Sequence, residues 1–335
     1  MKLFIRKILS GEHLSIDEAK TAMTTIMNGE ATPAQIAGFL IALKTKGVTA
    51  QEVAGLVSVM KDNAVRIELD DPLAVDGCGT GGDGGHTFNI STAASLVAAG
   101  AGVTVAKHGN RSVSSRCGSA DLLEAAGGKI DADSQTVQRN INEVGFGFMF
   151  APRFHPAMKH VAGPRQELGV RTVFNILGPM SNPALVTRQV IGVYDKALLS
   201  LMVEALELAG AEHVIVAHSH EGLDEFSVIG PTGYVELRGG RRSHAVISPE
   251  DVGLARYAPE SLAGGDAEAN LGILHRVLGG QKGACRDATV FNAGAMIYVG
   301  GKAASIGDGV KLAQQSIDSG NARAKLRAWV EASQT

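Results

Sequence analysis

The stretch LAVDGCGTGGDGGHTFNISTAASLVAAGAGVTVAKHGN, residues 73–110, decides the fold. Residues 73–75 are a short apolar run that reads as a strand, and the glycines at 77, 79, 81 and 82 open a loop that runs to Asp83. Residues 90–99 carry a helical pattern, and residues 103–106 read as a second strand. Strand, loop, helix and strand make the unit of a parallel sheet, because parallel neighbours need a crossover and usually place a helix in it. Outward from this unit, strand-like runs recur at 146–150, 189–193, 213–217 and 234–237, with helical stretches at 119–126 and 198–208. The alternation predicts an α/β protein with a mostly parallel central sheet flanked by helices. Ligands in such sheets bind beyond the carboxyl ends of the strands, where the glycine loops fall.

The chain before this unit reads as helical. Ser15 and Glu18, Thr32 and Gln35, and Thr49 and Glu52 have capping-box spacing, and Pro33 takes the first helical position after Thr32. Behind the caps, Ile36, Phe39, Leu40 and Leu43, then Val53, Leu56, Val57 and Met60, repeat at helical spacing. The expected organisation is a small all-helical N-terminal lobe, residues 1–70, and a larger α/β lobe, residues 71–335. A proline-punctuated helical excursion near 157–185 interrupts the alternation. It is expected to pack on the N-terminal helices and place the active site between the lobes. Residues 280–287 read as a polar connection and 321–333 as a closing amphipathic helix.

Composition narrows the partners. Aromatic residues make up 4% of the chain and the formal net charge is −3, so neither stacking platforms nor a general positive field invite nucleic acid or an acidic membrane. Three cysteines without zinc-type spacing suit a reduced cytoplasm. No stretch approaches the roughly 18 uncharged apolar residues of a membrane span. The expectation is a soluble, cytoplasmic protein with small-molecule substrates.

Four clusters carry chemistry. In Gly79-Thr80-Gly81-Gly82-Asp83, backbone N–H groups can point into a shared concavity, although a tight turn uses glycine in the same way. Asn89-Ile90-Ser91-Thr92 opens a helix, and its residues either cap it or leave an anion site at its positive end; Ser91 can also ligate a hard cation. Lys107-His108-Gly109-Asn110-Arg111-Ser112-Val113-Ser114-Ser115 combines two cations with many small donors, more than a solvated basic loop requires, and Ser119 aims at the same region. Asp224-Glu225 is a solvated turn or, beside phosphates, a magnesium pair, since magnesium binds through one or two carboxylates plus phosphate oxygens. His218 and His220 lie close by but lack the further ligands of a zinc site. Arg165, in the helical excursion, is either a surface residue or a bidentate clamp for a carboxylate.

The ordered set GTGGD, NIST, KHGNRSVSS, CGSAD, HPAMKHVAGPRQELGVRTVFNILGP and LDE resembles the anthranilate phosphoribosyltransferase family over nearly the whole chain. The resemblance implies transfer of the 5-phosphoribosyl group from 5-phosphoribosyl diphosphate (PRPP) to the amine of anthranilate, in tryptophan biosynthesis, with release of pyrophosphate. Gly79, Asn110 and Arg165 match the anthranilate positions. Gly79, Gly82, Asp83, Thr87, Asn89, Ile90, Ser91, Thr92, Lys107, His108, Gly109, Asn110, Arg111, Ser112, Val113, Ser114, Ser115 and Ser119 match those for PRPP. Ser91, Asp224 and Glu225 match the magnesium ligands, with two ions implied. A homodimer is implied, and no covalent nucleophile is expected. The sequence departs from the family at Phe154, where a tyrosine is expected before His155-Pro156, and at Pro164, which precedes Arg165. Two other readings share parts of this pattern: a pyrimidine nucleoside phosphorylase, which the Asp224-Glu225 pair disfavours, and a non-catalytic nucleic-acid-binding relative, which the net charge disfavours.

Overall fold

The computed structural model describes residues 1–82, 87–112 and 116–335. Four helices open the chain: α1 (Lys2–Leu9), α2 (Ile16–Met27), α3 (Pro33–Lys46) and α4 (Ala50–Asp62). All three capping boxes form with both of their reciprocal hydrogen bonds. Glu52 does more than cap. Its carboxylate is fully buried, accepts from the Leu14 N–H at 2.9 Å and pairs with Lys46 at 2.9 Å, so one side chain ties α4 to the segment before α2 and to the end of α3.

Seven strands follow: β1 (Val75–Gly79), β2 (Val105–Gly109), β3 (Phe146–Phe150), β4 (Arg188–Gly192), β5 (His213–Ser219), β6 (Thr232–Arg238) and β7 (Arg241–Ile247). They form one sheet in the order β3-β2-β1-β4-β5-β6-β7. The first five in that order are parallel, and β6 and β7 are antiparallel additions. β1 begins at Val75 and runs on to Gly79, because the ladder with β4 takes Gly77 and Gly79 as strand residues; the glycines there do not start the loop. β7 is absent from the sequence reading. Its polar, mostly exposed residues give little apolar alternation, and the signal that marks it is Gly239-Gly240, both at positive φ, the two-residue turn of a hairpin.

The remaining helices are α5 (Ile90–Gly100), α6 (Ser119–Ala125), α7 (Ser134–Arg139), α8 (Ala151–Phe154), α9 (Lys159–Leu168), α10 (Phe174–Met180), α11 (Leu198–Leu208), α12 (Ala267–Leu278), α13 (Ala284–Val299), α14 (Ile306–Asp318) and α15 (Asn321–Ser333). The polar connection ends at Gly283, and residues 284–287 already belong to α13. That helix is buried nearly all round, so it presents no amphipathic stripe for a periodicity reading to find.

Side chains alternate across the sheet. Val190 and Ile215 face α5 and α13, whereas Ile191, Val214 and Val216 face the opposite core. That second core is continuous with the N-terminal helices and includes Val161 of α9 and Phe174, Ile176, Leu177 and Met180 of α10. Among the described residues, no helix is long and apolar enough to cross a membrane. β1 has β2 on one side and β4 on the other, so the chain reverses direction across the sheet at β1–β4, and the crevice above those two carboxyl ends is where a ligand is expected.

Candidate functional site

Gly79 and Gly192 end β1 and β4 side by side, paired in register. The turn carrying Asp224 lies across both. A Cβ added to Gly79 would stand 2.2 Å from Asp224 Oδ2, and one added to Gly192 would stand 1.5 Å from the Asp224 carbonyl oxygen. These glycines are required by close approach rather than by unusual φ. Asp224 Oδ2 also accepts from the Gly81 N–H at 2.7 Å, which fastens the glycine loop to the acidic turn. Ser91 and Glu225 line one small cavity beside Gly192. Thus Ser91, Asp224 and Glu225 gather as oxygen donors, the set a hard cation prefers. Among the described residues no three His, Cys, Asp or Glu side chains cluster, so a magnesium ion here would complete its shell with ligand and water oxygens.

The start of α5 points into the same crevice and carries no side-chain cap. Asn89 is engaged elsewhere: its Nδ2 donates to the Cys117 carbonyl at 2.9 Å, and its Oδ1 accepts from Asn270 Nδ2 at 2.9 Å. Asn270 in turn accepts from the Gly265 N–H at 2.7 Å. This amide chain fixes the helix start while leaving its dipole available for an anion. Thr87 bridges to Ala263 just ahead of it. Ile90 is buried, as is Thr92, whose hydroxyl has no partner among the described residues.

The loop after β2 separates its residues. Lys107 is 1% exposed, and its Nζ donates to the Gly77 carbonyl at 2.7 Å, beneath the glycine loop. Asp76 is fully buried next to it and accepts from the His108 N–H at 3.2 Å and from Asn182 Nδ2 at 2.8 Å. Burial pushes the Asp76 carboxyl up to about 6, against the pull of Lys107. Burial also lowers the Lys107 ammonium. His108 and His155 lie with ring centroids 5.0 Å apart, and neither Nε2 has a partner among the described residues. Burial, with the neighbouring imidazole, pushes His108 down to about 3, and burial pushes His155 down to about 4, so both rings are neutral at pH 7.

Gly109 admits Ser119, whose Oγ would meet a Cβ there and which donates to the Asn110 carbonyl at 3.2 Å. Arg111 leans outward onto Glu124 and Asp121, each at 2.8 Å, and these acids raise its pKa. The Ser112 N–H donates to Asp121. Asp83, Val113, Ser114 and Ser115 lie outside the described residues.

From the excursion, Arg165 rests its guanidinium 5.3 Å from the Phe174 ring centroid; no ion pair to it is found among the described residues, and burial lowers its pKa. Phe154 is buried beside Met149 and Ile67, where an apolar ring suits the packing. Sequence reasoning missed Asp76, Asn182, Asn270 and Arg171. Each acts across a gap of many residues; Arg171 lies within the quoted stretch 155–179, but no local pattern gives any of the four a role. Arg171 follows α9, stacks 4.3 Å over the Tyr194 ring and donates to the Gly82 carbonyl, while its own carbonyl accepts from Lys44 Nζ at 2.7 Å.

Known proteins align with this chain throughout. Residues 2–64 match the glycosyl transferase family, helical bundle domain, and residues 71–323 match the glycosyl transferase family, a/b domain. An anthranilate phosphoribosyltransferase of Anaeromyxobacter sp. (strain K) is 53% identical over 328 residues, 98% of this chain and 97% of that one. The crystal structure of the Thermus thermophilus anthranilate phosphoribosyltransferase superposes with a TM-score of 0.95 at 44% identity, covering 99% of each chain. The Saccharomyces cerevisiae anthranilate phosphoribosyltransferase in complex with PRPP and Mg superposes with a TM-score of 0.90 at 28% identity, covering 99% of this chain and 97% of that one.

Proposed function

The chain belongs to the anthranilate phosphoribosyltransferase family, and on that basis we propose how its crevice moves the 5-phosphoribosyl group of PRPP onto the amine of anthranilate, a step of tryptophan biosynthesis. The observation that carries the reading is the convergence of the glycine loop, the uncapped α5 start and the Asp224-Glu225 turn at the β1–β4 switch point. The glycine loop with Gly79, Gly82 and Asp83, then Thr87, the segment Asn89 to Thr92, and the segment Lys107 to Ser115 with Ser119 are proposed to hold the sugar diphosphate. Lys107, buried beneath, contributes its charge to the loop through the Gly77 carbonyl. Gly79, Asn110 and Arg165 hold anthranilate, with the Arg165 guanidinium receiving the carboxylate.

Ser91, Asp224 and Glu225 fit magnesium, and two ions are proposed. Held by these residues, magnesium would supply charge neutralisation for the departing pyrophosphate. The amine nitrogen forms its bond to ribose C1 as the C1–oxygen bond to pyrophosphate breaks, through an oxocarbenium-like transition state of the kind seen in glycoside chemistry, and the N–H proton then released passes to the departing pyrophosphate or to water. The aromatic amine is neutral at pH 7, so orientation by Arg165 and Asn110 suffices and no side-chain nucleophile takes part. The enzyme is proposed to work in the cytoplasm as a homodimer.

The test follows anthranilate fluorescence on addition of PRPP, with and without magnesium. Magnesium-dependent loss with stoichiometric pyrophosphate supports the reading. No loss from folded protein overturns it, and phosphorolysis of a pyrimidine nucleoside would then be examined.

A further inference from the structure

We propose that Arg171 is a positioning residue that ties the helical lobe to the glycine loop and sets the affinity for PRPP; this rests on the reading of that loop as the diphosphate site. Arg171 lies in the connection between α9 and α10. It makes three ties. Its carbonyl accepts from Nζ of Lys44, in the last turn of α3, at 2.7 Å. Its guanidinium carbon sits 4.3 Å from the centroid of the Tyr194 ring, two residues past the end of β4. Its Nη2 donates to the Gly82 carbonyl.

The loop is built to receive it. A Cβ at Gly82 would stand 3.0 Å from the guanidinium, closer than ordinary contact, and the φ of +77° there is one that glycine adopts freely. The Thr80 N–H donates to the Gly192 carbonyl at 2.9 Å, and Thr80 Oγ1 accepts from the Tyr194 N–H at 3.2 Å. Tyr194 is therefore both a platform for Arg171 and an anchor for the loop. With Gly81 fastened to Asp224, the loop is held from below by the acidic turn and from above by Arg171.

The guanidinium has only neutral partners among the described residues, a carbonyl and an aromatic ring. No ion pair to it is found among the described residues, and it sits at the edge of the proposed anion site. A planar fork that must stack and donate at once cannot be replaced by an ammonium without losing one of the two contacts.

The test compares the intact enzyme with Arg171→Ala, Arg171→Lys, Lys44→Met and the double variant Lys44→Met/Arg171→Ala. Each is measured by calorimetric titration with magnesium and PRPP, by steady-state kinetics with both substrates, and by thermal unfolding. Arg171→Ala is expected to weaken PRPP binding about 10-fold or more, as loss of a hydrogen bond from a charged group implies, while the anthranilate KM changes less than about 2-fold. Arg171→Lys should recover part of the loss. Lys44→Met, which removes only the tie from α3, should weaken PRPP in the same selective way, and the double variant should be no worse than Arg171→Ala alone. Equal PRPP affinity in all variants overturns the proposal. So does a loss shared evenly between kcat and both KM values with a lowered Tm, since that is a structural effect. Wild-type protein that does not bind PRPP at all would refute the functional reading itself, and this inference with it.

Discussion

Replacing Gly192 by alanine probes the floor of the site directly. The added Cβ would stand 1.5 Å from the Asp224 carbonyl oxygen and 3.1 Å from the Asp224 Cα, both backbone atoms that cannot rotate away. Ordinary contact begins at 3.4 Å, so the turn must retreat by about 2 Å in a close-packed interior. Its other side is restrained by the Gly81 N–H and by the approach of Gly79. Misplacement by about 1 Å of groups that position reactants costs on the order of 100-fold. The expected result is therefore a fall of at least about 100-fold in kcat, together with a higher magnesium requirement. Overpacking of this kind costs about 1–3 kcal/mol, which leaves the protein folded. Gly233→Ala in β6, whose Cβ would meet only the His218 carbonyl at 3.9 Å, is the control. The assay is magnesium-titrated loss of anthranilate fluorescence, with thermal unfolding alongside. If folded Gly192→Ala keeps the wild-type kcat and magnesium dependence, the acidic turn does not position the cation and the reasoning fails.

Three further outcomes are expected. Arg165→Ala should raise the anthranilate KM about 10- to 100-fold, the loss of a charge-assisted contact of about 1.5–3 kcal/mol, with little change in the PRPP KM; an unchanged anthranilate KM removes Arg165 from that role. Asp224→Asn and Glu225→Gln should each raise the magnesium concentration for half-maximal rate, and identical magnesium curves would exclude both acids as ligands. Acid should destabilise the fold through His108 and His155. Both are held neutral with folded values of about 3 and about 4, so below about pH 6.5 the unfolded chain gains protons that the folded chain refuses. At pH 5 this amounts to about 2 kcal/mol for each ring. Asp76, raised to about 6, works the other way and returns about 1.3 kcal/mol between pH 7 and 5. Denaturant midpoints at pH 7 and 5 measure the net loss, and His155→Gln should reduce it; an equal loss in that variant would show that the ring does not resist protonation.

Local chemistry was the legible part. The capping boxes at Ser15, Thr32 and Thr49 were readable because both partners lie within one helical turn and form their bonds wherever the helix goes. The central βαβ unit was readable because glycine punctuation and side-chain period are properties of neighbouring residues. Boundaries slipped where a tertiary partner overrode them, as when pairing with β4 drew Gly77 and Gly79 into β1. α13 stayed hidden because a helix surrounded by core has no stripe.

By itself, then, the sequence settled the order of the strands from β1 to β6, the residue types that gather around a phosphate, and the family whose pattern they follow. Only the tertiary structure decided how those residues are used. Lys107 reads as a phosphate contact along the chain, yet it is buried against the Gly77 carbonyl with Asp76 at its side. Arg111 is turned outward by Glu124 and Asp121, while Arg171, given no role by the sequence reading, reaches the Gly82 carbonyl. The reason is that burial and partner geometry are set by segments far apart in sequence, and a cation's role depends on which carbonyl, ring or carboxylate the fold brings within hydrogen-bond reach.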